Sequence, residues 1–182
     1  MTTGYKIRDQ HGIYFLTFQV IDWIDIFTRQ VYRDIVLDSY KYAIKHKGLQ
    51  LHAYVIMSNH IHCILSSKTG KLSDTVRDIK RHTSKHMLNA IQTTHESRRD
   101  WIMELFSRNA SKHKRNLKYQ IWTHENHPVH LDSQKFKKQK LNYIHQNPVR
   151  AGIVDKAESY LYSSARNYTG LDALIDIQLL DI

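Results

Sequence analysis

Two short runs of the sequence carry side chains whose types and spacing could do chemistry. The first is His60-Ile61-His62, in which a strand would project both imidazoles from one face and let them bind one cation. The second contains Tyr143 and Asn147, which would lie one turn apart on a helix. A tyrosine can attack phosphorus as a covalent nucleophile, and a neighbouring carboxamide can help to hold a cation that polarises the phosphate.

Each run also has a simpler interpretation. The chain has 13 histidines among 182 residues, so about one His-x-His match is expected by chance. A partly buried histidine pair is therefore the default interpretation of His60 and His62. Tyr143 could equally be a core aromatic residue, with Asn147 as a polar residue at the end of a helix. Cys63 has apolar neighbours on the opposite face of the strand, which is typical of a buried thiol.

The hydrophobic pattern predicts the elements that must position these side chains. A period of two indicates strands at residues 13–20, 49–57, 60–66 and 119–123, with a two-residue hairpin turn at Ser58 and Asn59. A helical period indicates helices at residues 29–47, 72–91 and 133–147, the last capped by Asp132 and stopped by Pro148. Residues 92–118 are expected to form a mobile loop. This order of elements predicts an α+β sandwich, an antiparallel sheet covered by helices.

Charge and composition narrow the class of partner. There are 27 Lys and Arg against 17 Asp and Glu, so 27 − 17 gives +10, which favours nucleic acid or an anionic membrane surface. A single cysteine excludes an intramolecular disulfide and multi-cysteine zinc sites. The polar start of the chain and its short apolar runs predict a cytoplasmic protein that does not enter membranes. The basic residues expected to contact phosphates, unless they form only a solvated surface, are Arg77, Lys80, Arg81, Lys85, Lys112, Lys114 and Arg115.

Several motifs together resemble one family. Residues 53–62, AYVIMSNHIH, are similar to the histidine–hydrophobe–histidine (HUH) segment of single-tyrosine transposases. Residues 143–152, YIHQNPVRAG, resemble a hallmark of the REP-associated tyrosine transposases of the IS200-like superfamily. Residues 72–80, the region of Trp122 and His127-Pro128, and residues 162–166 are similar to the same family. The order and spacing of these motifs cover residues 13–170, which makes the resemblance specific.

The resemblance implies a fold and a set of roles. It implies one domain over residues 1–182, with a core at 13–154 and a tail at 155–182. Its ferredoxin-like sheet would carry the histidine pair on a central strand and the tyrosine on a C-terminal helix. His60 and His62, with Asn147 as third ligand, would bind Mg²⁺ or Mn²⁺. Tyr143 would attack single-stranded DNA and form a 5′-phosphotyrosine.

The residue one turn after the tyrosine differs between branches of the family. Insertion-sequence relatives carry glutamine one turn after the tyrosine, whereas this chain has Asn147, as the REP-associated branch does. The expected partner is therefore single-stranded or hairpin DNA. Two other functions stay open: a catalytically silent hairpin-binding protein of the same fold, and a metal-dependent phosphodiesterase that uses water. A homodimer in which tyrosines are exchanged and a monomer are both compatible with the sequence.

Overall fold

The computed structural model describes residues 6–112 and 118–182, and its centre is a four-stranded antiparallel sheet. The strands are β1 (Tyr14–Gln19), β2 (Leu49–Ile56), β3 (His60–Ser67) and β4 (Val129–His130). Their order across the sheet is β2-β3-β1-β4, so β1 and β2 run parallel with β3 inserted between them. This split βαβ arrangement is ferredoxin-like. The predicted α+β class is confirmed.

Helices cover both faces of the sheet. They are α1 (Gln30–Lys47), α2 (Leu72–Thr93), α3 (Arg99–Ser111), α4 (Gln134–Arg150) and the short α5 (Ala165–Tyr168). Within residues 6–112 and 118–182, none of these helices combines the length and apolar character that a membrane span requires.

Two hydrophobic clusters, one on each face of the sheet, hold the layers together. Successive side chains of a strand point to opposite faces, so Ile61, Cys63 and Leu65 of β3 enter the larger cluster with α1 and α2. Ile64 enters the smaller cluster, where it packs with Leu141 and Ile144 of α4. Burial raises the pKa of the Cys63 thiol to about 12, which confirms that it is an inert core residue.

The first three strands and first two helices form as the sequence predicts, with ends shifted by at most two residues. The turn at Ser58 and Asn59 also forms, closed by a hydrogen bond from the Met57 amide to the His60 carbonyl. Asn59 was expected there because asparagine tolerates a left-handed backbone, but it is not among the residues with positive φ. The Asn59 side chain instead links the turn to a neighbouring segment, because its amide donates to the Trp23 carbonyl at 3.3 Å.

The mobile loop expected at residues 92–118 is wrong for about half of its length, because residues 99–111 form α3. The apolar side chains Ile102 and Phe106, one turn apart, are fully buried against the larger cluster. That helical spacing lies among many charged residues, which conceal it in the sequence. Lys112 follows the helix at the surface, and its ammonium donates to Asn109 at 3.0 Å. Lys114 and Arg115 lie outside the described residues.

The strand predicted at residues 119–123 is also wrong, since this segment makes only an isolated bridge between Trp122 and Val20. Earlier in the segment, the Gln120 amide donates to the Phe106 carbonyl of α3 at 3.0 Å rather than to a strand. The fourth strand forms further along the chain, at β4, where Val129 pairs with Phe15.

Helix α4 differs from the prediction at both ends. Its N-cap is Ser133, whose hydroxyl accepts from the Phe136 amide at 3.3 Å, rather than Asp132. Its C-terminal end passes Pro148 and reaches Arg150. A proline in the last turn removes one intrahelical hydrogen bond, and the helix continues because the Ala151 amide still reaches the Asn147 carbonyl at 3.0 Å.

The residues after 155 pack along the outer edge of β2. Ser163 bridges to Val55, and the Ile56 amide donates to the Tyr162 carbonyl at 2.9 Å. Farther on, the Gln178 amide donates to the Leu51 carbonyl at 2.9 Å. The segment therefore satisfies backbone groups that would otherwise leave an open sheet edge.

A buried carboxylate, Glu96, fastens the start of α3 to α1. Its side chain is 2% exposed and accepts hydrogen bonds from Arg29 at 3.0 Å and from the Tyr32 hydroxyl at 2.9 Å. The Arg98 amide donates to its other oxygen at 3.2 Å. Burial opposes the charge of Glu96, but these donors outweigh burial and hold the pKa of the carboxyl below its ordinary value.

We expect Glu96→Gln to lower the free energy of unfolding by about 1–3 kcal/mol at pH 7, because the amide removes the negative charge beside Arg29 and replaces one of the two acceptor oxygens with a donor. The folded pKa lies below the unfolded value of about 4.3. The contribution of Glu96 is therefore present above that value and is lost as pH falls through the folded pKa. Urea unfolding of both proteins from pH 7 to pH 3 should show the difference shrinking.

The matched control is Glu104→Gln, which changes an exposed carboxylate of α3 and should leave the unfolding free energy within about 0.5 kcal/mol of wild type. Equal effects of the two substitutions would contradict the role assigned to Glu96.

Candidate active site

The two histidines of the His-x-His run lie side by side on β3, an inner strand of the sheet. Their ring centroids are 4.7 Å apart. His62 stands opposite Thr17 of β1 and Val55 of β2, and its ring stacks on that of Phe15 at 5.2 Å. The strand therefore presents both imidazoles on the face that α4 covers.

A hydrogen bond at Nδ1 orients each ring. His60 Nδ1 donates to Asn59 Oδ1 at 2.7 Å, and His62 Nδ1 lies 2.9 Å from Thr17 Oγ1. In the tautomer that keeps the proton on Nδ1, the lone pair of each ring is on Nε2. Such outer contacts are the usual means of orienting a metal-binding histidine.

Both rings are held neutral by their surroundings. Burial lowers the pKa of His62 to about 3, and the positive charges of Lys140 and Arg150 contribute with His60 to that shift. Burial also lowers the pKa of His60. The pair is partly buried, as the simpler interpretation expects, but burial also leaves two uncharged imidazoles with lone pairs for a cation.

Tyr143 reaches the same place from α4. Its ring centroid is 5.2 Å from that of His62 and 6.0 Å from that of Phe15. The neighbouring Ile144 is fully buried and fixes this side of the helix against the sheet. Tyr143 is nevertheless 39% exposed, so the interpretation as a core aromatic residue is wrong. An accessible phenol thus lies beside two neutral imidazoles.

Asn147 and His145 follow Tyr143 on α4. Asn147 is half-buried one turn after the tyrosine. His145 Nε2 lies 2.9 Å from the hydroxyl oxygen of Ser164, and this hydroxyl in turn contacts the backbone of Tyr54 on β2. This chain of contacts joins the helix that carries Tyr143 to the neighbouring strand.

Two cations beside Tyr143 had no role in the sequence interpretation. The Arg150 guanidinium lies 4.6 Å from the Tyr143 ring centroid, and one of its nitrogens donates to the Tyr143 carbonyl at 3.0 Å. The Lys140 ammonium lies 5.6 Å from the same centroid and 4.5 Å from that of Phe15. Their spacing of three residues before and seven after the tyrosine, on one helical face, is the signal that could have found them.

The basic residues expected to bind phosphates lie elsewhere. Arg77, Lys80, Arg81 and Lys85 belong to α2, which packs in the larger cluster on the opposite face of the sheet from α4. The structure therefore does not bring them to Tyr143. Arg77, Lys80 and Arg81 border a groove of about 730 Å³ between α2 and residues 119–128, and its lining includes Trp122.

These basic side chains are not equally free to contact a phosphate. The Lys80 ammonium donates to the Thr123 carbonyl at 2.7 Å and to Asn126 at 2.6 Å, and burial lowers its pKa to about 8. Lys80 thus anchors the opposite wall of the groove. Arg77 is exposed but paired with Asp74 at 2.7 Å. Arg81 and Lys85 are exposed to solvent.

Comparison with known proteins gives one family match and a structural likeness. The sequence profile of the family described as IS200-like transposase matches residues 13–116. A structure of a REP-associated tyrosine transposase bound to a REP hairpin aligns with 100% of this chain and 95% of its own, with a TM-score of 0.60 and 18% identity.

A putative transposase from Deinococcus radiodurans R1 aligns with 79% of this chain and 95% of its own, with a TM-score of 0.45 and 18% identity. No curated protein sequence matches the chain. The profile match includes His60 and His62 but ends before Tyr143. At 18% identity the structural likeness establishes the fold.

We expect the His62 ring to stay neutral throughout the neutral pH range and to take up its proton only near pH 3. An unfolded histidine is protonated at about pH 6.5, so this site makes the folded state less stable as pH falls through that value. Lys140→Met should raise the midpoint because it removes a nearby positive charge. The titration can be followed by the ring carbon and proton signals in NMR spectra.

The matched control is Lys138→Met, which removes an exposed charge from the same helix and should leave the His62 midpoint unchanged. A His62 midpoint above pH 6 in the wild-type protein would refute the burial of this ring.

Proposed function

The chain belongs to the IS200-like transposase family, and from this we propose that it cuts and rejoins single-stranded DNA through a covalent bond to Tyr143. The observation that carries the proposal is the 5.2 Å separation between the rings of Tyr143 and His62, which come from residues 81 positions apart. Both belong to one chain, which favours a site completed without a tyrosine from a second copy.

In the proposed reaction the Tyr143 oxygen attacks the scissile phosphorus. A bond forms between that oxygen and phosphorus as the bond from phosphorus to the 3′ oxygen breaks. The phenolic proton goes to solvent, and the departing 3′ oxygen gains a proton to become a free hydroxyl. The DNA keeps a 5′-phosphotyrosine, which conserves the diester and allows a 3′-hydroxyl to reverse the step.

Positive charge around Tyr143 supports this role. A tyrosine has an ordinary pKa of about 10 and is protonated at neutral pH, so attack requires help in forming the phenolate. The guanidinium of Arg150 and the ammonium of Lys140 lie beside the ring. Both charges attract the phosphate that the tyrosine would attack.

The residues present fit a divalent cation. His60 and His62 offer neutral rings with Nδ1 engaged, and Asn147 offers an amide oxygen from α4. Among the described residues no three His, Cys, Asp or Glu side chains are grouped as a metal site, so an amide as third ligand suits the set. Mg²⁺ or Mn²⁺ would polarise the scissile phosphate when bound. Imidazole ligands favour Mn²⁺ over Mg²⁺.

The proposed substrate is single-stranded or hairpin DNA, and the proposed branch of the family is the REP-associated one. The structural relative with a TM-score of 0.60 is bound to a REP hairpin, and Asn147 is the residue typical of that branch. The net charge of +10 favours a polyanion. Exposed Arg81 and Lys85 on α2 would contact phosphates of the strand outside the cleavage site.

We expect Tyr143→Phe to abolish a covalent protein–DNA adduct, because the attacking oxygen is removed. A hairpin oligonucleotide with a labelled single-stranded flank is incubated with the protein and Mn²⁺, and the adduct is resolved by denaturing electrophoresis. The matched control is Tyr42→Phe, which removes the hydroxyl of an exposed tyrosine on α1 and should keep full adduct formation.

An undiminished adduct in Tyr143→Phe would remove this residue from the nucleophile role. Cleavage without any adduct in the wild-type protein would indicate attack by water instead. Binding with neither cleavage nor adduct, under any divalent metal, would support a silent hairpin-binding protein.

We expect His62→Ala to reduce cleavage more than about 100-fold, because a ligand that orients the cation is lost. DNA affinity should change only a few-fold, since phosphate contacts supply most of it. Cleavage rates and filter-binding affinities measured on the same oligonucleotide separate the two effects. His46→Ala, an exposed histidine of α1, is the control, and unchanged cleavage in His62→Ala would refute the proposed metal site.

A further inference from the structure

A second pair of histidines lies on α2, away from the site described above. His82 and His86 are separated by one helical turn, and their ring centroids are 4.1 Å apart with the planes tilted by 36°. Both residues are exposed. Within the described part of the chain, neither ring makes a hydrogen bond or ion pair, so their mutual contact is the principal interaction that the structure gives them.

Packing does not explain this pair. Thr83 and Met87, which follow the two histidines in the chain, face the core and are buried. The proposed cleavage site does not use the pair either, because α2 and α4 lie on opposite faces of the sheet. Two imidazoles at positions i and i+4 of a helix project in the same direction. This is the arrangement by which one helix offers two ligands to a single metal ion.

The surroundings of His82 favour the neutral form of its ring, which is the form that binds a metal ion. Partial burial lowers the pKa of His82, and the nearby His86 and Lys85 lower it further, whereas Asp38 of α1 acts in the opposite direction. A neutral imidazole retains the lone pair that coordination requires. The Asp38 carboxylate also adds negative charge near His82, which offsets part of the repulsion between Lys85 and a bound cation.

We propose that His82 and His86 form a surface binding site for a borderline divalent transition metal such as Zn²⁺, each ring supplying one nitrogen. The described residues contain no third His, Cys, Asp or Glu grouped with them, so water fills the remaining positions. Imidazole nitrogen favours Zn²⁺, Cu²⁺ and Ni²⁺ over Mg²⁺. The rings already lie together on one side of the helix, and rotation of their side chains would direct one nitrogen of each toward a shared ion.

The site can be tested by isothermal titration of Zn²⁺ into the full chain without an affinity tag. We expect the wild-type protein to bind one equivalent more than His82→Ala or His86→Ala at micromolar Zn²⁺, because a single imidazole binds at least about tenfold more weakly than two together. His46→Ala, which removes an exposed histidine from α1, should keep the wild-type stoichiometry.

The double variant His60→Ala/His62→Ala separates this inference from the proposed function. It should lose whatever Zn²⁺ binds between the sheet and α4 and keep the equivalent that depends on His82. Equal stoichiometry and affinity in wild type and His82→Ala would overturn the α2 site, whatever the outcome at His60 and His62.

NMR spectra give a second test of the shared site. In NMR spectra one equivalent of Zn²⁺ should shift the ring signals of His82 and His86 together and leave that of His46 in place. Zn²⁺ that shifts His86 in the His82→Ala protein as strongly as in the wild type would refute a shared site.

Discussion

The two-residue period of β3 determines which of its side chains enter the larger core and which face α4. Because β3 lies between β1 and β2 and both faces of the sheet are covered, each of its side chains must enter one of two environments. Ile61 and Cys63 fill the larger core, while His60 and His62 turn toward α4. A shift of the register by one residue would exchange these sets and bury imidazoles among aliphatic side chains.

Burial on the α4 face then determines the protonation state of His60 and His62. A buried imidazole loses its proton more easily than a solvated one, and Lys140 and Arg150 strengthen that effect at His62. The same two cations lie beside the Tyr143 ring. One pair of cations therefore lies close both to the strand and to the helix that meet in the candidate site, where the proposed reaction places the metal ligands and the nucleophile.

Local patterns predict much of the local structure, although the strand expected at residues 119–123 does not form. Alternation gave the three long strands and the hairpin, and the orientation of His60 and His62 follows from it directly. The closeness of His62 to Tyr143 could not be predicted from spacing, because it depends on how α4 packs across the sheet. Helix α3 was missed because Ile102 and Phe106 lie among charges. Lys80 was expected to contact phosphates, but contacts with Thr123 and Asn126 that are distant in sequence hold its ammonium.

The separation of the two basic regions has a geometric consequence for the proposed reaction. Lys140 and Arg150 lie beside the tyrosine on one face of the sheet, whereas Arg81 borders the groove on the other, with exposed Lys85 one turn farther along α2. A rigid duplex has a persistence length of about 150 base pairs and resists a sharp turn around a sheet edge. A substrate that touches both regions must therefore contain a flexible single-stranded part, and a hairpin with a single-stranded flank meets that requirement.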